Sequence, residues 1–167
     1  MSTDRHRLRP DHLPTPFSAD EIRAGCQPGR SIRSLVIEAG REPFIHVTRF
    51  VSADADGAER ETWDEALDGS RLAEPARQRS TWLDFQGHAS FPAATTEVTE
   101  ETIQIPAGRF DCLRYLNRDG SSVRTFWFAR SAPGMPLRFE ESLDGELVYS
   151  STAVENVPAG AADDRER

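Results

Sequence analysis

The histidines, cysteines and arginines of this chain have the most capacity for chemistry, and their neighbours decide what kind. His46 lies between Ile45 and Val47 in "PFIHVTRFVS", and His88 stands in "GHASF" just after "TWLDFQ". Either imidazole, placed beside a carboxylate, can act as a base near neutral pH. The sequence supplies no third member for such a site. Cys26 and Cys112 form no CxxC pair, and neither sits in a nucleophile signature. Apart from His6 and His12 near the amino terminus, no close pair of His or Cys offers zinc ligands, so neither a metal nor a cofactor is expected.

Three charged residues share predicted strand faces with apolar neighbours: Arg49 with Ile45, Val47 and Val51; Arg114 with Phe110, Cys112 and Leu116; Glu141 with Leu137, Phe139 and Leu143. A charge in such a place needs a partner or water. In one reading Arg49 or Arg114 holds an anionic head group, such as a fatty acid carboxylate, inside an apolar cup. In the other, the arginine stem lies along apolar surface with its head in water, or pairs internally with Glu141. Trp127, with Trp63 and Trp82, either lines a pocket or fills the core. The candidate ligand-binding residues are thus Arg49, Arg114, Glu141, His46, His88 and Trp127.

These residues sit in a chain of 167 residues with 29% charged side chains and a formal net charge of −8. That balance lacks the basic face a nucleic acid requires, so no nucleic-acid partner is expected. All 20 basic residues are arginine, a bias that fits a GC-rich genome better than a binding code. "MSTDRHRLRPDHLPTPF" leads into no apolar run and no cleavage site, so the expected location is the cytoplasm. No stretch reaches the roughly 20 apolar residues of a membrane-spanning helix. In a reducing compartment the two cysteines are read as free and buried, although spacing alone also permits a disulfide.

The elements that must position these groups are mostly strands. Residues 1–16 are proline-rich and charged and read as a flexible tail, as do residues 157–167, leaving a single β domain over 17–156. Ser18 with Glu21 three residues on is a capping-box pattern for a helix near Ala19 to Ala24. Period-two segments follow from Arg30 and at "PFIHVTRFVS", "AERETWDEAL" and "RLAEP", separated by short turns that dictate antiparallel pairing. "RSTWLDFQG" interrupts them with a second short helix, Ser80 being placed to cap it. Further strands are predicted at about 95–105, 109–117, 123–129, 137–143 and 146–155. In two of these both faces carry apolar bulk, so a helix, a partner subunit or a ligand must cover the second face.

"IPAGRFDCLRY", "TFWFARSAPGMPLRFEE" and "DGELVYSS" together resemble the carboxy-terminal half of an uncharacterised bacterial β-domain family related to the lipoprotein carriers of outer-membrane sorting. The resemblance implies a curved antiparallel sheet with a short helical plug and an apolar concave face. The expected fold is therefore mainly β: an antiparallel half-barrel or open barrel of about eight strands with two short helices. The expected function is non-catalytic binding of an apolar or amphipathic small molecule, a lipid or acyl chain. The alternatives are a homodimeric protein-interaction module and a small enzyme using His46 or His88.

Overall fold

The computed structural model describes residues 4–160. Its strands are β1 (Ser31–Glu38), β2 (Phe44–Ala53), β3 (Gly57–Glu65), β4 (Ala76–Thr81), β5 (Thr96–Ile105), β6 (Gly108–Asp119), β7 (Ser122–Ala129), β8 (Arg138–Leu143) and β9 (Glu146–Val157). They form one open antiparallel sheet of nine strands in the order β4-β3-β2-β1-β9-β8-β7-β6-β5. Two meanders, β1 to β4 and β5 to β9, are thus joined by pairing the first strand to the last. Two helices, α1 (Ala19–Gly25) and α2 (Trp82–Gly87), and a 3₁₀ turn (Ala93–Thr95) complete it. The mainly β open sheet with two short helices follows the sequence reading, with nine strands where about eight were expected.

Both helices begin on reciprocal caps. The Ser18 hydroxyl accepts from the Glu21 backbone N–H, and Glu21 Oε1 accepts from Ser18 N–H at 3.1 Å. In α2 the cap is Thr81 with Asp84, one residue later than Ser80. The fourth strand also differs from expectation. Around "RLAEP" there is only an isolated bridge from Arg71 to Glu65, and the paired segment is Ala76–Thr81, beyond Pro75. Its sequence, "ARQRST", has no apolar alternation because β4 is an edge strand with mostly exposed side chains.

The segment before Phe17, read as a loose tail, lies against the body over residues 4–16. Thr15 is buried, Gln86 Nε2–H donates to the carbonyl of Arg5 and the hydroxyl of Thr15, and the Tyr115 hydroxyl donates to Pro14 O at 2.8 Å. Backbone hydrogen bonds, Leu13 to Phe91 and Ala93 to Asp11, replace the apolar area that its composition lacks. Of the predicted carboxy-terminal tail, Val157 belongs to β9 and residues 161–167 lie outside the described residues.

The buried residues form two cores. On one face α1 and α2 cover Phe50, Ala58, Tyr115 and Phe128, with Ile22, Trp82 and Phe91 packed between them. On the other side of β5, β6 and β7, Ile103, Ile105, Cys112, Trp127 and Ala129 meet Leu137 and Ala153. The sheet curls far enough for Ala107 N–H, in the turn between β5 and β6, to donate to Ala153 O on β9. The chain itself therefore covers the second apolar face of these strands.

Candidate functional site

Strand register decides which side chains share the helix-covered face. Phe50, Arg60 and Gln78 stand in one row across β2, β3 and β4; Thr48 pairs with Thr62; and Ser34, His46 and Asp64 form a third row. From the other half, Phe126 pairs with Phe139 and Glu141 with Tyr149. Between these rows lies a cleft of about 870 Å³ whose walls include Ile32, His46, Arg60, Phe139, Glu141 and Tyr149. Beneath the helices a smaller, apolar cavity of about 170 Å³ is bounded by Ile22, Cys26, Phe50, Phe85, Phe126 and Phe128. Arg60, Met135 and Pro136 line both spaces.

An aromatic ribbon runs from the cavity to the cleft. Phe126 stacks with Phe128 and lies 4.8 Å, centroid to centroid, from Phe139, which lies 5.7 Å from Tyr149. Burial raises the Tyr149 hydroxyl above its ordinary pKa, and Glu38 and Asp64 add to the shift. The Tyr149 end of the cleft is thus acidic, with Glu141 on the same wall.

Arg60 occupies the junction. Its Nε is buried without a hydrogen-bond partner among the described residues, its side-chain contact with Gln78 Oε1 is long at 3.5 Å, and its guanidinium lies 5.2 Å from the Phe85 ring centroid. Burial lowers its pKa, and no carboxylate contributes to the shift. Beside α1, Arg30 is 2% exposed and also leaves one guanidinium nitrogen unsatisfied. It donates to Cys26 Sγ at 3.0 Å and to the Pro133 carbonyl. The Cys26 thiol is pushed up by burial despite the neighbouring Arg30, which describes an inert thiol rather than a nucleophile.

Of the six sequence candidates, His46 and Glu141 line the cleft and His88 lines the apolar cavity. His46 Nδ1 lies 2.7 Å from Asp64 Oδ1, an oriented imidazole–carboxylate pair, but among the described residues no hydrogen bond joins it to Ser34. Arg49, Arg114 and Trp127 belong to the opposite face. Arg49 pairs with Glu61 at 2.8 Å. Arg114 lies 3.5 Å from Glu101, whose carboxylate also accepts the Trp127 indole N–H. Arg49 and Arg114 thus have partners within the chain, and neither pairs with Glu141 among the described residues. Arg60 escaped the sequence reading because "AERETW" resembles a solvated strand. The available signal was its alternation with Ala58 and Thr62, away from Glu59 and Glu61.

No family model and no curated protein matches this chain by sequence. Its fold is nevertheless similar to that of solved structures. It matches MucB in the Pseudomonas aeruginosa MucA/MucB complex with a TM-score of 0.57 at 13% identity, covering 82% of this chain and 54% of that one. A crystal structure of MucB matches with a TM-score of 0.57 at 12% identity, covering 89% and 60%. This chain therefore spans little more than half the length of those chains, and the likeness concerns the β fold alone. Among the described residues no helix is long and apolar enough to cross a membrane.

Proposed function

We propose that the protein binds an amphipathic small molecule with an acyl chain, without catalysis, on the helix-covered face of its sheet. The observation that carries this reading is the aromatic ribbon from Phe128 through Phe126 and Phe139 to Tyr149, which links the apolar cavity to the polar-rimmed cleft. A tail beneath α1 and α2 and a head in the cleft satisfy both environments at once. His46, Glu141 and His88 border this path, whereas Arg49, Arg114 and Trp127 have no part in it. Two free, buried cysteines favour a reducing compartment, and the proposal places the protein in the cytoplasm. The link to lipoprotein carriers belongs to the same proposal: a shared way of sheltering an acyl chain.

Native mass spectrometry of purified protein, followed by titration with a fluorescent fatty-acid analogue, tests this reading. Saturable one-to-one binding that is lost in Phe126→Glu supports it. A ligand-free protein with no saturable binding overturns it.

Two other readings have a specific observation each. The solved MucA/MucB complex shows a protein of similar fold engaging a partner protein, so a homodimer or another protein complex is a second use of the fold. Sedimentation at micromolar concentration tests the homodimer. The His46–Asp64 pair is the feature of a small enzyme; its test is a hydrolytic activity lost in His46→Ala with the fold retained.

A further inference from the structure

We propose that Arg60 anchors the head group of the bound molecule and that this head group carries a single negative charge, a long-chain carboxylate being the fitting class. The inference rests on the binding reading above and goes further by naming the ligand chemistry.

Three observations support it. Arg60 lines both the apolar cavity and the cleft, where the head of a molecule with its tail under the helices would come to rest. Its Nε is buried with an unused donor, and among the described residues no carboxylate neutralises it. Guanidinium donors form a planar fork that matches a carboxylate, and a half-buried cation with no carboxylate beside it is favoured by an anion that takes up its unused donor. Thr48, Thr62 and Gln78 stand in neighbouring positions on the same wall and offer further polar contacts.

The charge limit follows from the rest of the cleft. Glu38 and Glu141 line it together with Tyr149, and Asp64 stands beside the lining residue His46; Glu38 meets Arg41 at 3.8 Å and Asp64 meets both Arg41 and His46. Glu141 has no ion pair among the described residues. Among the described residues, Arg60 is the one arginine that lines the cleft, beside several carboxylates, which favours a monoanion and repels a head of higher charge.

The test is calorimetric titration of the full chain with dodecanoate, methyl dodecanoate and dodecyl phosphate, repeated on Arg60→Met and Arg60→Gln. Circular dichroism establishes that each variant is folded. The wild type should bind dodecanoate about tenfold or more tightly than its methyl ester, a charge-assisted hydrogen bond being worth at least that much. Dodecyl phosphate should bind no more tightly than dodecanoate. Both variants should bind acid and ester alike, near the wild-type affinity for the ester. Equal binding of acid and ester by the wild type, or a preference that survives in both variants, overturns the anchor while leaving the cleft reading intact. Tighter binding of dodecyl phosphate overturns the single-charge assignment. Failure of both acid and ester to bind sinks the cleft reading and the anchor with it.

Discussion

The two faces of the sheet treat their arginines differently. On the face away from the helices, Arg33 meets Glu65, Arg49 meets Glu61, Arg77 meets Glu59 and Glu61, Arg114 meets Glu101 and Arg138 meets Glu140. Against the helix-covered face, Arg30 is buried and Arg60 half-buried, and no described carboxylate meets either. These pairs are partly exposed, Glu65 and Glu61 being the more enclosed partners, so the charges of the first face are neutralised within the chain. A buried guanidinium without a counter-charge is a liability that selection tolerates where a ligand or a packing need supplies the compensation. The difference separates arginines that are paired within the chain from arginines that are not, among the described residues.

That contrast can be broken at several points. The largest effect should come from the core beneath the helices: Phe50→Ala, at a side chain 2% exposed, should lower stability by about 3–5 kcal/mol in urea denaturation. A loss below about 1 kcal/mol would mean the helices do not press on the sheet as described.

Gly134→Ala should lower stability by about 2–3 kcal/mol. Its φ of +130° disfavours any side chain, and a Cβ there would stand 2.8 Å from both Arg30 Nη1 and Cys26 Sγ. Gly108→Val tests the "PAG" turn in the same way, since Gly108 has φ +141° and opens β6; about 1–3 kcal/mol is expected. An unchanged thermal midpoint in either variant would contradict the backbone described here.

Exchanging arginines sharpens the contrast directly. Without ligand, Arg60→Met should leave stability equal or slightly raised, because it removes a half-buried charge that no described carboxylate offsets. Arg114→Met should lower it by no more than about 1 kcal/mol, because its pair with Glu101 is partly exposed. The opposite order of signs in parallel chemical denaturation would show that the two arginines have been assigned to the wrong faces.

The smallest effect concerns acid. Hydrogen bonds from Arg33 and Trp63 hold the Glu65 carboxyl below its ordinary value of 4.5. A carboxyl whose pKa is lower in the folded state binds fewer protons there than in the unfolded chain. Its stabilisation is present above 4.5 and fades as pH falls through the lower, folded value. Thermal melts of wild type and Glu65→Gln between pH 6 and pH 3 should therefore converge toward the acid end. Curves that stay parallel would show that the Arg33–Glu65 pair does not form in solution.

Much of the local structure was legible because its causes are local. The Ser18–Glu21 cap, the turn from Pro106 to Gly108 and the alternation along β6 and β7 each depend on a few adjacent residues. β4 was missed because an exposed edge strand carries no apolar pattern. The lining of the cleft was legible only in part. His46 and Glu141 were recognised as charged or titratable groups amid apolar neighbours, and the cleft contains both. Arg49 and Arg114 gave the same signal for another reason: their carboxylates lie on neighbouring strands, beyond any local window of sequence.

The sequence by itself determined the mainly antiparallel β fold, the two short capped helices and the turns, since propensity, capping and period-two burial act over short spans. Only the tertiary structure decided that β1 pairs with β9, that the chain's own curl covers the second apolar face, and that Arg60 rather than Arg49 or Arg114 stands where an apolar cavity meets a polar cleft. Those outcomes depend on register and closure between strands far apart in the chain. A single residue of slip would turn Arg60 to the other face of the sheet, toward the carboxylates that neutralise its neighbours.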